Sequence, residues 1–290
     1  MSQRLKIAFV VALVLVNVGL LFLVKEKMAD SKAAAAKATP AVAPTTPATP
    51  EPEPTRKPGG QQSLTVADDD TIFRIRGGSC DGNDGPAIAV SADTGATFDD
   101  VGLPDGMRAV FMLTAEDAEN LDLVAAPQSC EPQRFVTTDG GETWEAAEGA
   151  DVWFLDPRGR VTAPVGVVEP GCTQTLTLSA PNPDSARVFC ASGVLIGTTD
   201  AGETWARLGS LDDVKAAAYA TPRQGYALAP DGGCATGAYS TDDAGRTWTA
   251  AGCLDAGPGR ALAANRNLVA AIAGDAVYVS EDGGRTWAKA

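Results

Sequence analysis

The chain has 290 residues and a formal net charge of −14, from 23 basic and 37 acidic side chains, and it contains no histidine. Without histidine the sequence has no Ser-His-Asp or Cys-His catalytic centre and no imidazole metal site, so any enzyme chemistry depends on carboxylates, tyrosines, lysines or arginines. Its acidic charge repels phosphate backbones, and we therefore expect no nucleic-acid partner.

An uncharged apolar segment, residues 7–24, is the first element of the chain. Arg4 and Lys6 precede this segment, and Lys25 and Lys27 follow it. A helix of this length measures about 27 Å, close to the thickness of the hydrocarbon core of a bilayer. A cleavable signal peptide usually has a shorter apolar region. The sequence predicts a short cytoplasmic N-terminus, residues 1–6, and a transmembrane signal anchor, residues 7–24, with the membrane as its partner; cleavage and secretion is the alternative.

Residues 25–62 form a segment of Ala, Pro, Thr and Glu with almost no side chain large enough to bury. This composition cannot build a core and is typical of an extended, semi-rigid linker. Because residues 1–60 contain 8 basic and 4 acidic side chains, the rest of the chain has 15 basic and 33 acidic ones, a net charge of −18. We expect a single-pass cell-membrane protein whose acidic domain, residues 63–290, lies outside the cytoplasm.

A motif of the form Ser/Thr-x-Asp-x-Gly-x-Thr-Trp/Phe occurs five times in residues 63–290. The copies are SADTGATF, TTDGGETW, TTDAGETW, TDDAGRTW and SEDGGRTW, with central aspartates Asp93, Asp139, Asp200, Asp243 and Asp282. The aromatic residues that close them are Phe98, Trp144, Trp205, Trp248 and Trp287. Such regular copies indicate a repeat architecture, in which each repeat is one supersecondary unit.

Each copy predicts a tight β-hairpin turn, because a short β-forming run precedes it and its Thr-Trp begins the returning strand. The carboxylate and the Ser/Thr hydroxyl can accept hydrogen bonds from turn amides, and the glycine permits a positive φ. The closing aromatic side chain is large enough to fix the hairpin in the core. Since the turn uses the carboxylate, we assign the five aspartates a structural role and predict no metal site, no cofactor and no catalytic residue.

This motif is the Asp-box, or BNR, repeat, and the chain resembles the Asp-box β-propellers: bacterial sialidases, the sortilin luminal domain and the photosystem assembly-factor propellers. The resemblance implies an all-β fold over residues 63–290, a β-propeller of four-stranded antiparallel blades. Five repeats of about 46 residues fit this length, so five blades is the first choice. The interval between Asp139 and Asp200 is the longest of the four and leaves an extra hairpin at residues 152–166. That hairpin is either an insertion or a partial blade that raises the count to six.

The six cysteines formally permit 15 disulfide connectivities, but their positions in a propeller favour one. All six lie on, or beside, the face opposite the Asp-box turns. Two pairs flank predicted hairpins and so lie across neighbouring strands, and the third pair joins loops of adjacent blades. The predicted pairs are Cys80–Cys130, Cys172–Cys190 and Cys234–Cys253. Disulfides on this face would stiffen glycine-rich loops and make them usable as a binding surface.

The resemblance to sialidases implies an exo-glycosidase as one alternative function. Phe73-Arg74-Ile75-Arg76 lies where sialidases have a Phe/Tyr-Arg-Ile-Pro motif, but an arginine replaces the proline. Such an enzyme also needs three arginines, a tyrosine with a partnering glutamate, and an acidic general acid. Two of the four tyrosines lie on strands that lead into Asp-boxes, and the other two, Tyr219 and Tyr226, have no nearby glutamate in sequence. The sequence therefore favours a protein that is not an enzyme.

We predict a membrane-anchored binding or scaffolding module whose partner is a protein or a cell-envelope glycan. The binding surface is expected on the disulfide-bearing face, in acidic, glycine-rich loops that contain Asp81, Asp84, Glu131 and Asp231. An assembly factor for a membrane protein complex is the second alternative, since it differs only in its partner.

Overall fold

The computed structural model describes residues 62–68, 70–149, 152–156 and 158–290. These residues form 23 β-strands in six antiparallel sheets, which follow one another in chain order. Neighbouring sheets pack against each other as the blades of a propeller, and the predicted all-β propeller is confirmed. The predicted N-terminus, the signal anchor and all of the linker except Gln62 lie outside the described residues. Within the part of the chain that the structure describes, no helix is long and apolar enough to cross a bilayer.

The blades are numbered in chain order. Blade 1 contains β1 (Gln62–Val66), β2 (Ile72–Arg76), β3 (Ala87–Ser91) and β4 (Asp99–Val101). Blade 2 contains β5 (Ala109–Ala115), β6 (Leu121–Ala126), β7 (Gln133–Thr137) and β8 (Glu145–Ala147). Blade 3 contains β9 (Phe154–Leu155), β10 (Val161–Ala163) and β11 (Gly166–Val168).

The last three blades are regular. Blade 4 contains β12 (Thr175–Asn182), β13 (Ser185–Cys190), β14 (Val194–Thr198) and β15 (Ala206–Ser210). Blade 5 contains β16 (Ala216–Tyr219), β17 (Gly225–Asp231), β18 (Cys234–Thr241) and β19 (Thr249–Leu254). Blade 6 contains β20 (Gly259–Ala264), β21 (Val269–Ala273), β22 (Ala276–Ser280) and β23 (Ala288–Lys289).

Burial decreases from the second strand of each four-stranded blade to the fourth. Most residues of the second strands are buried because both faces of these strands pack inside the ring; β13 and β21 are buried at every residue, whereas β2 exposes its two arginines. The fourth strands are mostly exposed; β4 begins with two aspartates and β8 with a glutamate. The core therefore lies between blades, as in the cluster where Phe73 and Ile88 of blade 1 meet Leu113 and Leu123 of blade 2.

Blades 1 and 6 close the ring by packing, without exchange of a strand between them. β1 lies against β20 and β21, and Leu64 and Ile72 share a buried cluster with Ile272. The side-chain amide of Asn265 donates a hydrogen bond to the Asp68 carbonyl at 3.0 Å. Burying an aliphatic side chain stabilises a fold by about 1.5–3 kcal/mol, so a few such contacts are sufficient to hold the two blades together.

Blade 3 corrects the expected count of five blades, because residues between the second and third Asp-boxes form a sheet of their own. The six-blade alternative is therefore the one that the structure shows. The strands of blade 3 are only two or three residues long. Within the described residues this blade has neither an Asp-box nor a fourth strand; after β11 the chain runs through Cys172 directly to β12.

Candidate functional site

The two faces of the ring carry different connections. Antiparallel order within a blade places the Asp-box turns, between third and fourth strands, on one face, which we call the Asp-box face. The connections between second and third strands, and those between blades, lie on the other. We call this the disulfide face, because all three bridges lie on it or at strand ends beside it.

Each Asp-box is closed by its own hydrogen bonds. In the first box the Ser91 hydroxyl donates to Asp93 Oδ1 at 2.7 Å and accepts from the Gly95 amide at 2.7 Å. Asp93 also accepts from the amide and the hydroxyl of Thr97, at 2.8 and 2.7 Å. The same four bonds recur in the boxes centred on Asp139, Asp200, Asp243 and Asp282. The five carboxylates therefore hold the turns in which they lie.

These hydrogen bonds stabilise the ionised form of each box aspartate. The amide and hydroxyl of Thr97, with the Ser91 hydroxyl, lower the pKa of Asp93 from 3.8 to about 2. The pKa values of three others, Asp139, Asp200 and Asp243, are also lowered to about 2, and that of Asp282 is lowered further. A carboxylate with so low a pKa carries no proton at neutral pH, so none of the five is suited to donate one as a general acid.

The aromatic residue of each box packs against the preceding blade. The ring of Trp248 in blade 5 lies 5.9 Å from that of Phe189 in blade 4, and Trp205 in blade 4 lies 5.9 Å from Trp153, beside blade 3. The other three box aromatics lie in clusters between blades. Phe98 lies in the cluster that joins blade 1 to blade 6, Trp144 in the one that joins blade 2 to blade 1, and Trp287 in the one that joins blade 6 to blade 5. Among the described residues, the space between blades 2 and 3 contains no box aromatic, because blade 3 has no Asp-box; there Phe154 of β9 stacks on Phe111 of β5, with ring centres 6.4 Å apart.

A cleft of about 420 Å³ occupies that space. On its blade 2 side lie Val124, Arg134 and Ala147, which are paired across β6, β7 and β8. On its blade 3 side lie Phe154 and Thr162, which are paired across β9 and β10. The Arg134 guanidinium donates two of its hydrogen bonds to an aspartate of β6, so the charged residue of the wall is itself paired. Sequence reasoning missed this cleft; its one signal is the long interval between the second and third boxes.

Three bridges fix the disulfide face, and they join the three predicted pairs. Their Cα atoms are 5.5, 5.2 and 5.5 Å apart in Cys80–Cys130, Cys172–Cys190 and Cys234–Cys253. The first joins blade 1 to blade 2. The second ties the end of β13 to the segment before β12, and the third ties β18 to β19. Three disulfides indicate that the domain resides in an oxidising environment.

The loop at residues 77–86 is also held on blade 2 by hydrogen bonds to its backbone, one of them from the Arg108 guanidinium. The Gly77 carbonyl accepts a hydrogen bond from a β5 amide at 2.8 Å, and Arg108 donates to the Gly82 carbonyl at 2.7 Å. Gly78 has a φ of +65°, and a Cβ at this position would lie 2.5 Å from the Arg108 carbonyl oxygen. Only glycine fits there, so this glycine-rich loop has a defined path.

The predicted binding residues fall on the disulfide face in two groups. Asp81 and Asp84 lie in the loop at residues 77–86, and Glu131 follows the second cysteine of the first bridge, so that bridge connects the segments that carry them; all three are exposed. Asp231 lies on blade 5 instead. It is partly buried, and its carboxylate accepts from the Gly233 amide at 3.2 Å in a two-residue turn, where a longer loop was expected.

The residues considered for a sialidase-like site have other contacts. The Arg74 guanidinium lies 4.5 Å from the centre of the Phe98 ring. Tyr219 is buried, which raises the pKa of its hydroxyl, and it donates to the Ala244 carbonyl at 3.4 Å. The Tyr226 hydroxyl accepts from a glutamine amide at 2.7 Å. Among the described residues no hydrogen bond joins a tyrosine hydroxyl to a glutamate, and no group of three or more cysteine, aspartate or glutamate residues is placed to hold a metal ion.

A family model matches one copy of the repeat, and several solved structures are similar to the chain. Residues 135–146 match the family model described as BNR/Asp-box repeat. The chain is similar to the GH74 enzyme of Niastella koreensis at 14% identity, over 80% of this chain and 47% of that one, with a TM-score of 0.46. It is also similar to YCF48 bound to D1 peptide, at 16% identity over 80% of this chain and 67% of that one, with a TM-score of 0.32. A third similar structure is YCF48 from Cyanidioschyzon merolae, at 13% identity over 81% and 87% of the two chains, with a TM-score of 0.32.

No curated protein matches the chain. The chain spans less than half the length of the Niastella koreensis enzyme. At these identities and TM-scores, the likenesses carry no argument about ligand or activity.

Proposed function

We propose that this Asp-box β-propeller is an extracytoplasmic binding module, held at a membrane by its N-terminal apolar segment, that binds a basic protein surface on its disulfide face. The observation that carries the proposal is the Cys80–Cys130 bridge, which joins loops of blades 1 and 2 beside Asp81, Asp84 and Glu131.

Rigidity of these loops favours binding. A flexible glycine-rich loop loses conformational freedom when a partner orders it, at a cost of about 0.5–1.5 kcal/mol per immobilised side chain. Here the bridge joins positions 50 residues apart, and the backbone contacts of residues 77–86 fix the loop before any partner arrives. The opposite face offers less, because the box carboxylates are already bonded within their own turns.

Charge selects the class of partner. The domain has a net charge of −18, and the three carboxylates grouped by the bridge are exposed to solvent. Lysine and arginine side chains complement such a surface, and long-range attraction accelerates the encounter at low ionic strength. A basic protein surface therefore fits this face better than a neutral glycan does.

A charge-neutralising variant tests the proposal against a matched control. The test variant combines Asp81→Asn, Asp84→Asn, Glu131→Gln and Asp231→Asn. The control makes the same change of charge at exposed acidic residues of the Asp-box face outside the central aspartates: Glu142→Gln, Glu203→Gln, Asp242→Asn and Glu281→Gln.

Each protein is immobilised and used to capture proteins from detergent-solubilised membranes. We expect the test variant to retain less than a tenth of the partner that the wild type binds, and the control to bind as the wild type does. Equal capture by both variants would remove the disulfide face from consideration. Protease treatment of the membranes before capture should abolish binding; capture that survives it would identify a glycan instead.

A further inference from the structure

We propose that blade 3 accepts an extended segment of a partner protein as its fourth strand, with an aromatic side chain of that segment in the cleft between blades 2 and 3. This surface lies on the side of the ring and is independent of the disulfide face.

Among the described residues, no strand pairs with the outer edge of β11, and that edge can accept one. β11 is the last strand of its sheet, and its Gly166 pairs with Ala163 across a two-residue turn. In such a hairpin the closing pair is hydrogen-bonded and the next pair, Thr162 with Val167, is not. The N–H and C=O of Val167 therefore point away from β10, toward the open edge, where an added strand can bond to them.

Exposed apolar surface marks the same edge. Val165 and Val167 are 51% and 56% exposed, and they are the only large apolar side chains classed as exposed in the described part of the chain. β11 carries no charge or proline, the features by which edge strands commonly prevent pairing. Four of the five fourth strands of the other blades, by contrast, contain a charged residue.

The open edge and the cleft belong to one surface. Val167 pairs with Thr162, which pairs with Phe154, so the three side chains lie in a row on one face of the sheet. Thr162 and Phe154 line the cleft. Val168 lies on the other face, with the cluster that holds blade 3 on blade 4. A strand added to β11 would therefore extend the row of three across the outer mouth of the cleft.

The other five spaces between blades show what chemistry fits this one. In each of them a box aromatic from the later blade packs on the earlier blade, as Trp248 does on Phe189. Blade 3 supplies no box aromatic. Its Phe154 stacks on Phe111 of blade 2 with ring centres 6.4 Å apart, and beside that pair the unfilled volume of about 420 Å³ is ample for one large aromatic side chain. The wall offers Val124, Ala147 and Phe154 to that ring. The occupant is thus an extended segment with an aromatic residue that faces the cleft.

This occupant comes from a different protein. No aromatic side chain is exposed among the described residues, so a second folded copy has none to offer, and two domains of charge −18 repel each other. Residues 25–61 contain no aromatic residue and seven prolines, which cannot donate to a strand ladder. The acidic domain favours a segment with lysine or arginine beside the aromatic residue.

The probe comes from a displayed library of random twelve-residue peptides. Peptides that bind the full-length protein are selected from this library. We expect the enriched peptides to share an aromatic residue among β-branched ones, with basic residues nearby. Val167→Pro removes the outward N–H without removing a hydrogen bond of the β10–β11 hairpin, and Val167→Thr is its matched control. Ala147→Trp fills the cleft from the blade 2 wall.

Binding of the enriched peptides is measured by fluorescence anisotropy. We expect at least a tenfold loss of affinity in Val167→Pro and in Ala147→Trp, and less than a threefold change in Val167→Thr and in the charge-neutralised variant of the disulfide face. Thermal unfolding confirms that each variant folds; if Val167→Pro does not, Ala147→Trp decides. A selection that enriches no aromatic peptide would overturn the proposal, as would peptides that bind Ala147→Trp like the wild type.

Discussion

Replacing Gly245 with alanine separates two constraints on an Asp-box turn, its backbone conformation and its contact with the preceding blade. Gly245 has a φ of +88°, and an added Cβ would collide with Cδ2 of Leu195 and with the hydroxyl of Tyr219. Leu195 is fully buried and Tyr219 is 4% exposed, so neither side chain can move aside without disturbing the core between blades 4 and 5. Both constraints oppose this substitution.

Gly284 provides the matched control. It is the corresponding glycine of the fifth box, with a φ of +85°, but the nearest atom to an added Cβ is an atom of the Trp287 ring at 3.6 Å, an ordinary contact. Positive φ costs an alanine about 1–2 kcal/mol, and the lower freedom of the unfolded chain returns about 0.4–1 kcal/mol. Gly284→Ala should therefore lower the free energy of unfolding by about 1 kcal/mol.

Gly245→Ala adds the cost of overpacking, about 1–3 kcal/mol, to the same backbone strain. We expect a total loss of about 2–4 kcal/mol. Urea unfolding followed by tryptophan fluorescence measures both variants, since four of the five tryptophans of the chain close Asp-boxes. Equal losses in the two variants would refute the reasoning, because they would show that the backbone alone restricts the position.

Three further predictions concern charge, burial and disulfides. The pKa of most box aspartates is lowered from 3.8 to about 2 in the folded domain. Their contribution to stability is therefore complete above about pH 4 and is lost as the pH falls to about 2. Over this range the melting temperature of Asp282→Asn should fall less steeply than that of the wild type, because the variant lacks one of these carboxylates. The guanidinium of Arg187 is buried and donates to three backbone carbonyls at 2.6–2.9 Å. Arg187→Lys should therefore lower the free energy of unfolding in urea by about 1–3 kcal/mol, because an ammonium group cannot reach all three carbonyls. A decrease of less than about 0.5 kcal/mol would show that these hydrogen bonds do not depend on the planar guanidinium. Cys80→Ser with Cys130→Ser should cost about 4 kcal/mol, because the bridge closes a loop of 50 residues, and should expose residues 77–86 to limited proteolysis; unchanged protease resistance would show that the backbone contacts alone fix the loop.

The sequence was sufficient to predict the turns and the bridges, because both depend on local chemistry repeated at regular intervals. Within one short motif, the spacing around Asp93 and its equivalents predicts which hydroxyl groups hydrogen-bond to the carboxylate. When each repeat is taken as one blade, the strand order determines which connections share a face of the ring. The six cysteines then fall on one face, where they can be assigned to three pairs. The second positive φ of the turn could not be predicted. It lies before the glycine, at Thr94, Ala201 and Ala244, and neither threonine nor alanine is typical of that conformation.

Blade 3 could be predicted only as one of two alternatives, and the cleft not at all, for a different physical reason. Strands of two or three residues are too short to show alternation of polar and apolar side chains, so β9, β10 and β11 have no periodic signal. The long interval between Asp139 and Asp200 indicated extra structure, either an insertion or a partial blade, and five blades remained the first choice. The cleft arises from an absent aromatic residue, and its shape depends on how two blades pack rather than on any motif that either one contains.

The local closure of each Asp-box explains why a ring can tolerate one blade without a box. The four side-chain hydrogen bonds that recur in every box join residues of the same box, so the absence of a box from blade 3 breaks none of these bonds in any other blade. What blade 3 lacks is the box aromatic toward blade 2, where Phe154 stacks on Phe111 instead. Its other side keeps one, because Trp205 packs on Trp153, and the ring still closes between β1 and β20. An incomplete repeat therefore leaves an open edge and an apolar cleft at modest cost to the fold, and these are the two features that an incoming strand requires.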